Sequence, residues 1–194
     1  MPNANNFNKS FLFFVTFIFS ISIFYLYQKH TVGNDSTISE WLINYQGGFT
    51  RRGLIGEISF IIADLFDLKL RFVIFLFQAT IYLIYTILIY NFFKNIPNNV
   101  LAIITLFSPI LFMYPISEIE VLARKEIFIF ISFIIFLNLS NIKFNKNYSL
   151  IYVFLINPII CLIWEPFIFF IPFSIYVILN QHKDNDFKIL FLKL

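Results

Sequence analysis

The chain has 194 residues, 59% of them hydrophobic, only 13% charged, and a formal net charge of +3; an ordinary soluble domain carries about 25% charged residues. A soluble core of this size cannot bury 29 Phe, whereas hydrocarbon accepts apolar side chains without penalty. The small, dispersed positive charge argues against nucleic-acid binding, and the single cysteine, Cys161, excludes an internal disulfide framework.

The composition predicts an all-α polytopic integral membrane protein. Its first apolar run, Phe11 to Tyr27, follows a short polar leader containing Lys9 and meets no small-residue cleavage site. It reads as an uncleaved signal-anchor helix. A second span runs from Phe72 to Phe93, entered through Lys69 and Arg71 and left at Lys94. A third covers Val100 to about Ile116. Ser117 and Glu120 have capping-box spacing, so a fourth helix is expected from Ser117 to about Leu139. Only residues 127–139 of it are uniformly apolar, about 20 Å of helix, too short for the hydrocarbon core. Arg124, Lys125 and Glu126 are therefore expected at head-group depth or in a polar cavity. The last apolar stretch, Leu150 to Leu179, would make a helix of about 45 Å and contains Glu165-Pro166, which predicts a break at Glu165. The total is about six membrane segments in one domain, residues 1–194. Phe187 to Leu194 reads as a helix beginning, so an N-terminal fragment of a longer protein, or a degenerate copy, is expected.

All five glycines lie in the first long loop, residues 28–71, and Gly47, Gly48, Gly53 and Gly56 fall within WLINYQGGFTRRGLIGE. That density is a local backbone demand for tight turns or close approach. Arg51 and Arg52 sit among these glycines, and forked guanidinium donors beside glycine turns suit a phosphate. The same arginines also fit a loop resting on lipid phosphates. After Gly53 a short amphipathic helix is expected, with Glu57, Asp64 and Arg71 on one face and Asp67 paired to Arg71 four residues on.

Six segments place the first loop, residues 117–126 and the Glu165 turn on one face, with Lys- and Asn-rich connectors on the other. Lys and Arg divide evenly between the faces. With the loop arginines set aside as functional, the connectors' face is assigned to the cytoplasm together with the N-terminus, and Lys9 agrees. Ionisable groups at membrane depth are functional candidates, and Arg51, Arg124 and Glu165 are expected around a shared polar cavity. His30 and His182 lack metal-ligand spacing, so neither a metal nor a cofactor is expected.

QGGFTRRGLIGE resembles a GF-x-RRGL-x-GE pattern of bacterial membrane proteins from surface-polysaccharide clusters, and the ARKE and WEPFIFFIP segments are similar to that group's later islands. Trp164 stands where the group carries His. The resemblance implies a glycosyltransferase or polymerase of the bacterial plasma membrane using a polyprenyl-phosphate-linked sugar. It further implies that Arg51, Arg52, Arg124 and Lys125 hold the phosphate and that Glu57, or else Asp35 or Glu40, is the base. Gly47, Gly48, Gly53, Gly56, Glu126 and Glu165 would support the site. A transporter or flippase for a lipid-linked or anionic solute, and a non-catalytic membrane subunit, are the competing readings.

Overall fold

A computed structural model describes residues 4–32, 36–94, 103–104, 106–107, 121–122, 124–141 and 152–181. Every element among them is helical. In order these are α1 (Ala4–Val32), α2 (Ser36–Leu42), α3 (Leu54–Leu65), α4 (Leu70–Phe93) and α5 (Ile127–Asn141). A π-helical turn (Tyr152–Ile156), α6 (Asn157–Ile163), a 3-10 helix (Glu165–Phe170) and α7 (Ile171–Gln181) follow among the described residues. The expected third span, apart from residues 103–104 and 106–107, the Ser117–Glu120 box, Asp35 and the C-terminal tail lie outside the described residues.

Two helices are long and apolar enough to cross a membrane, Phe7–Val32 and Leu70–Phe93. They pack antiparallel. At one end Phe11 stacks on Tyr90. At the other, Arg71 Nε donates to the His30 carbonyl at 2.7 Å and Arg71 Nη2 to the Lys29 carbonyl at 3.2 Å, satisfying carbonyls that the end of α1 leaves open. Phe7, Phe11, Val15, Ile18, Ser22 and Leu26 are buried, a helical spacing that turns one stripe of α1 inward. Phe13, Phe17, Phe24 and Tyr27 are exposed on its other side. Thr16 and Ser20 on that side bond carbonyls of their own helix, which satisfies a hydroxyl without water.

The expected shared face of Glu57, Asp64 and Arg71 does not form. α3 ends at Leu65, the chain turns through Asp67 at φ +51, and Arg71 belongs to the next helix. With Asp67 in a turn, the helical spacing that would pair it with Arg71 is absent. α3 also presents Ile58, Ile61 and Leu65 outward, while Ile55, Ser59 and Ala63 are buried; both sides of this helix carry apolar residues.

The fourth helix starts later than its capping-box spacing predicts. Residues 121–122 and 125–126 are turns, and α5 begins at Ile127. Tight bonds lead into it, Arg124 N–H to the Val121 carbonyl at 3.3 Å and Ile127 N–H to the Arg124 carbonyl at 3.1 Å. Ile127 clusters with Ile81 and Tyr82, and Ile134 packs against the cluster of Phe11 and Ile89. α5 therefore runs parallel to α4, with Ile127 level with Tyr82. That start lies roughly 16 Å along α4 from Arg71 at 1.5 Å per residue, so the 121–126 turn is sunk below the end of the α1–α4 hairpin. The first loop follows it down: Trp41 and Ile55 share a cluster with Ile74, Leu122 and Ile127.

The last apolar stretch is broken one residue before the expected break at Glu165. Trp164 is extended, φ −148 and ψ 98, between α6 and the 3-10 helix, with Pro166 just inside the latter. Tyr152 packs beside Phe136, Ile160 and Trp164 beside Ile129, and Ile178 returns to Phe136 and Tyr152. The chain thus climbs along α5, turns at Trp164-Glu165 near the start of α5, and descends again.

Candidate functional site

The glycine-rich loop is closed by Glu57. Its Oε2 accepts the Tyr45 N–H at 2.9 Å and its Oε1 accepts Gln46 Nε2 at 2.8 Å. Gly48, at φ +117, turns the tip, where its N–H reaches the Tyr45 carbonyl at 3.0 Å. Gly56 faces the backbone of residues 41–43: a Cβ there would overlap the Ile43 carbonyl and come within 2.9 Å of the Trp41 carbonyl oxygen. Close approach of α3 to the strand of chain leaving α2 is thus what glycine supplies at position 56.

This closed loop delivers the arginines to the broken helix. Arg52 Nη2 lies 2.8 Å from Glu165 Oε1 and Arg51 Nη1 lies 3.8 Å from Glu165 Oε2. The Arg52 guanidinium also sits 4.2 Å over the Trp164 ring, a cation–π contact that strengthens with desolvation. Arg52 is held at φ +65, a conformation disfavoured for a residue with a Cβ. Lys125 Nζ donates to the Arg52 carbonyl at 2.7 Å and fastens that conformation.

Lys125 is 0% exposed. Burial pulls its ammonium pKa down to about 8, opposed by the negative charge of Glu40 and assisted by the positive charge of Arg52. With its donor on a backbone carbonyl and no surface, Lys125 positions Arg52. Arg124 pairs with Glu126 at 3.2 Å. Buried polar atoms without a hydrogen-bond partner gather in these segments, among them Trp164 Nε1, Arg124 Nε, Glu126 Oε2 and Glu40 Oε2.

The structure joins Arg51, Arg52 and Glu165 directly and Lys125 through the Arg52 backbone, whereas Arg124 and Glu126 pair with each other. Tyr45 and Gln46, which hold Glu57, carry no sequence signal of that role. Trp164 as a platform for Arg52 is equally invisible in sequence, since the two residues stand 112 positions apart. Among the described residues no group of three His, Cys, Asp or Glu is placed to hold a metal ion. No family model, curated protein or solved structure matches this chain.

Proposed function

We propose that this is a polytopic protein of a bacterial plasma membrane, with about six segments, that transfers or polymerises a polyprenyl-phosphate-linked sugar for a surface glycan. The observation that carries the reading is the convergence of Arg51 and Arg52 on one carboxylate beside Trp164. In the reaction an acceptor hydroxyl attacks the anomeric carbon, the bond from that carbon to the phosphate oxygen breaks, and the phosphate leaves as an anion. Preorganised guanidinium groups stabilise that developing charge. Glu57 is the proposed base for the hydroxyl proton. The apolar outward faces of α1 and α3 favour lipid surroundings.

Arg52→Ala should abolish surface-glycan assembly while the protein still accumulates in the membrane, and Arg52→Lys should rescue it poorly, because an ammonium lacks the forked contact. Normal glycan amount and length in both variants would rule the reading out. Glu57→Gln separates two roles: accumulated protein without glycan supports the base, and lost protein means loop closure alone.

The orientation places the N-terminus and Lys94 in the cytoplasm and the glycine-arginine loop outside. Single cysteines at Gly47 and Lys94 should label from opposite sides of sealed vesicles. Labelling from the same side would sink the proposed topology.

A flippase for a lipid-linked solute is the second reading, favoured by Asn157. It is 1% exposed, with neither side-chain amide atom partnered, in the broken stretch; unsatisfied polar groups in discontinuous membrane helices are typical of transported-solute sites. Movement of a fluorescent lipid pyrophosphate across proteoliposomes would establish it.

A further inference from the structure

The carboxylate of Glu165 stands where a ligand's phosphate would stand. Its two oxygens are divided between two adjacent guanidinium groups, at 2.8 Å from Arg52 and 3.8 Å from Arg51. The contact is open to a competitor, because the Arg51 side chain is 84% exposed and that of Glu165 39%. Trp164 Nε1, buried and without a partner, adds a donor beside the pair.

In a bilayer such arginines meet phosphodiester head groups, each bearing one negative charge, in large excess. Unopposed, these would fill the pair. A carboxylate tethered in the same chain competes at a high effective concentration, and it lowers the affinity of every anion by one common factor. The tether does not alter the ranking of ligands; it decides which of them still wins at its working concentration. A phosphodiester exchanges one single-charged contact for another and gains little. A terminal phosphomonoester or pyrophosphate brings more charge and more free oxygens, enough to bridge both guanidinium groups.

We infer that Glu165 sets the affinity threshold of the site: a tethered internal anion that keeps abundant phosphodiester lipids off Arg51 and Arg52 and yields to a lipid ending in a phosphomonoester or pyrophosphate. The inference rests on the lipid-phosphate reading above and adds the class of head group that the site admits.

The test uses the full chain in maltoside micelles, with farnesyl pyrophosphate as ligand and dioleoyl phosphatidylglycerol as added phosphodiester, binding being followed by titration calorimetry. Without phosphatidylglycerol, Glu165→Gln should bind farnesyl pyrophosphate about tenfold more tightly than wild type, the competitor being gone. With enough phosphatidylglycerol to weaken Glu165→Gln about tenfold, wild type should weaken only about twofold, because the tethered carboxylate already occupies the pair most of the time. Glu165→Asp, which keeps a charge in the turn but shortens its reach, should fall between the two and serves if the Gln variant does not fold. A Gln variant that binds no more tightly, or that stays indifferent to phosphatidylglycerol, overturns the inference. The lipid-phosphate reading fails separately, if wild type binds no farnesyl pyrophosphate or if Arg51→Gln, at an exposed position, binds it as well as wild type does.

Discussion

Gly56→Ala should prevent the protein from accumulating, and Gly47→Ala should be indistinguishable from wild type in amount and thermal midpoint. Both replacements add one methyl to a glycine of the same loop. At position 56 the methyl overlaps the Ile43 carbonyl and crowds the Trp41 carbonyl, and neither is a side chain able to swing away. The first turn of α3 and the chain leaving α2 would have to part. Ile55, next to Gly56, and Trp41, whose carbonyl is part of the contact, belong to the main buried cluster and would part with them. Overpacking of this kind costs about 3 kcal/mol or more, the top of the usual range. At position 47 nothing lies within 4 Å. Membrane-fraction amounts of the two variants check the contrast, and equal accumulation would show that α3 does not cross the chain at Gly56.

The second large effect concerns Lys125 and is read against pH. Its folded-state pKa, about 8, is below the ordinary 10.5 because the ammonium is buried. Above 10.5 the amine is neutral whether the chain is folded or not. As pH falls from there, the unfolded chain takes up the proton first, so folded stability declines until about pH 8 and is flat below it. Wild type should therefore gain up to about 3 kcal/mol between pH 8 and 10.5, the equivalent of that pKa difference. Lys125→Met should lose this slope. The profile is more informative than any single pH, since at neutral pH the lost hydrogen bond to Arg52, about 1.5–3 kcal/mol for a charged donor, opposes the relief of an unburied charge. Thermal midpoints in detergent across that range check it; the same slope in the Met variant would place the titration on another group.

The long helices were legible because hydropathy is a local property. Phe11 to Tyr27 and Phe72 to Phe93 fall inside α1 and α4, and the apolar character of each run is carried by its own residues. The break beside Glu165 was legible for a similar reason. Pro166 disfavours helical torsions in its neighbour, and the chain opens at Trp164, one residue earlier than the proline rule places it. The late start of α5 was not legible. Ser117 and Glu120 have capping-box spacing, yet residues 121–122 and 125–126 form turns, and from the second of these Lys125 reaches Arg52, 73 residues away in sequence.

Composition and local pattern, then, were enough to specify helices, their apolar character, the glycine-dense loop and the proline break, because each depends on a residue and its near neighbours. The partners of the charged groups depend on how those helices stack. Arg71 went to the end of α1 instead of Asp67, Arg124 to Glu126, and Lys125 to the Arg52 backbone carbonyl. A buried charge takes whichever opposite charge or carbonyl the packing brings within about 3–4 Å. Spacing along the chain fixes that distance only within a helix. The left-handed turn at Arg52 has the same origin, since Lys125 holds it only once the loop and the turn before α5 have come together; the one at Asp67 is local, closed by the Leu68 N–H on the Ala63 carbonyl at 2.9 Å at the end of α3.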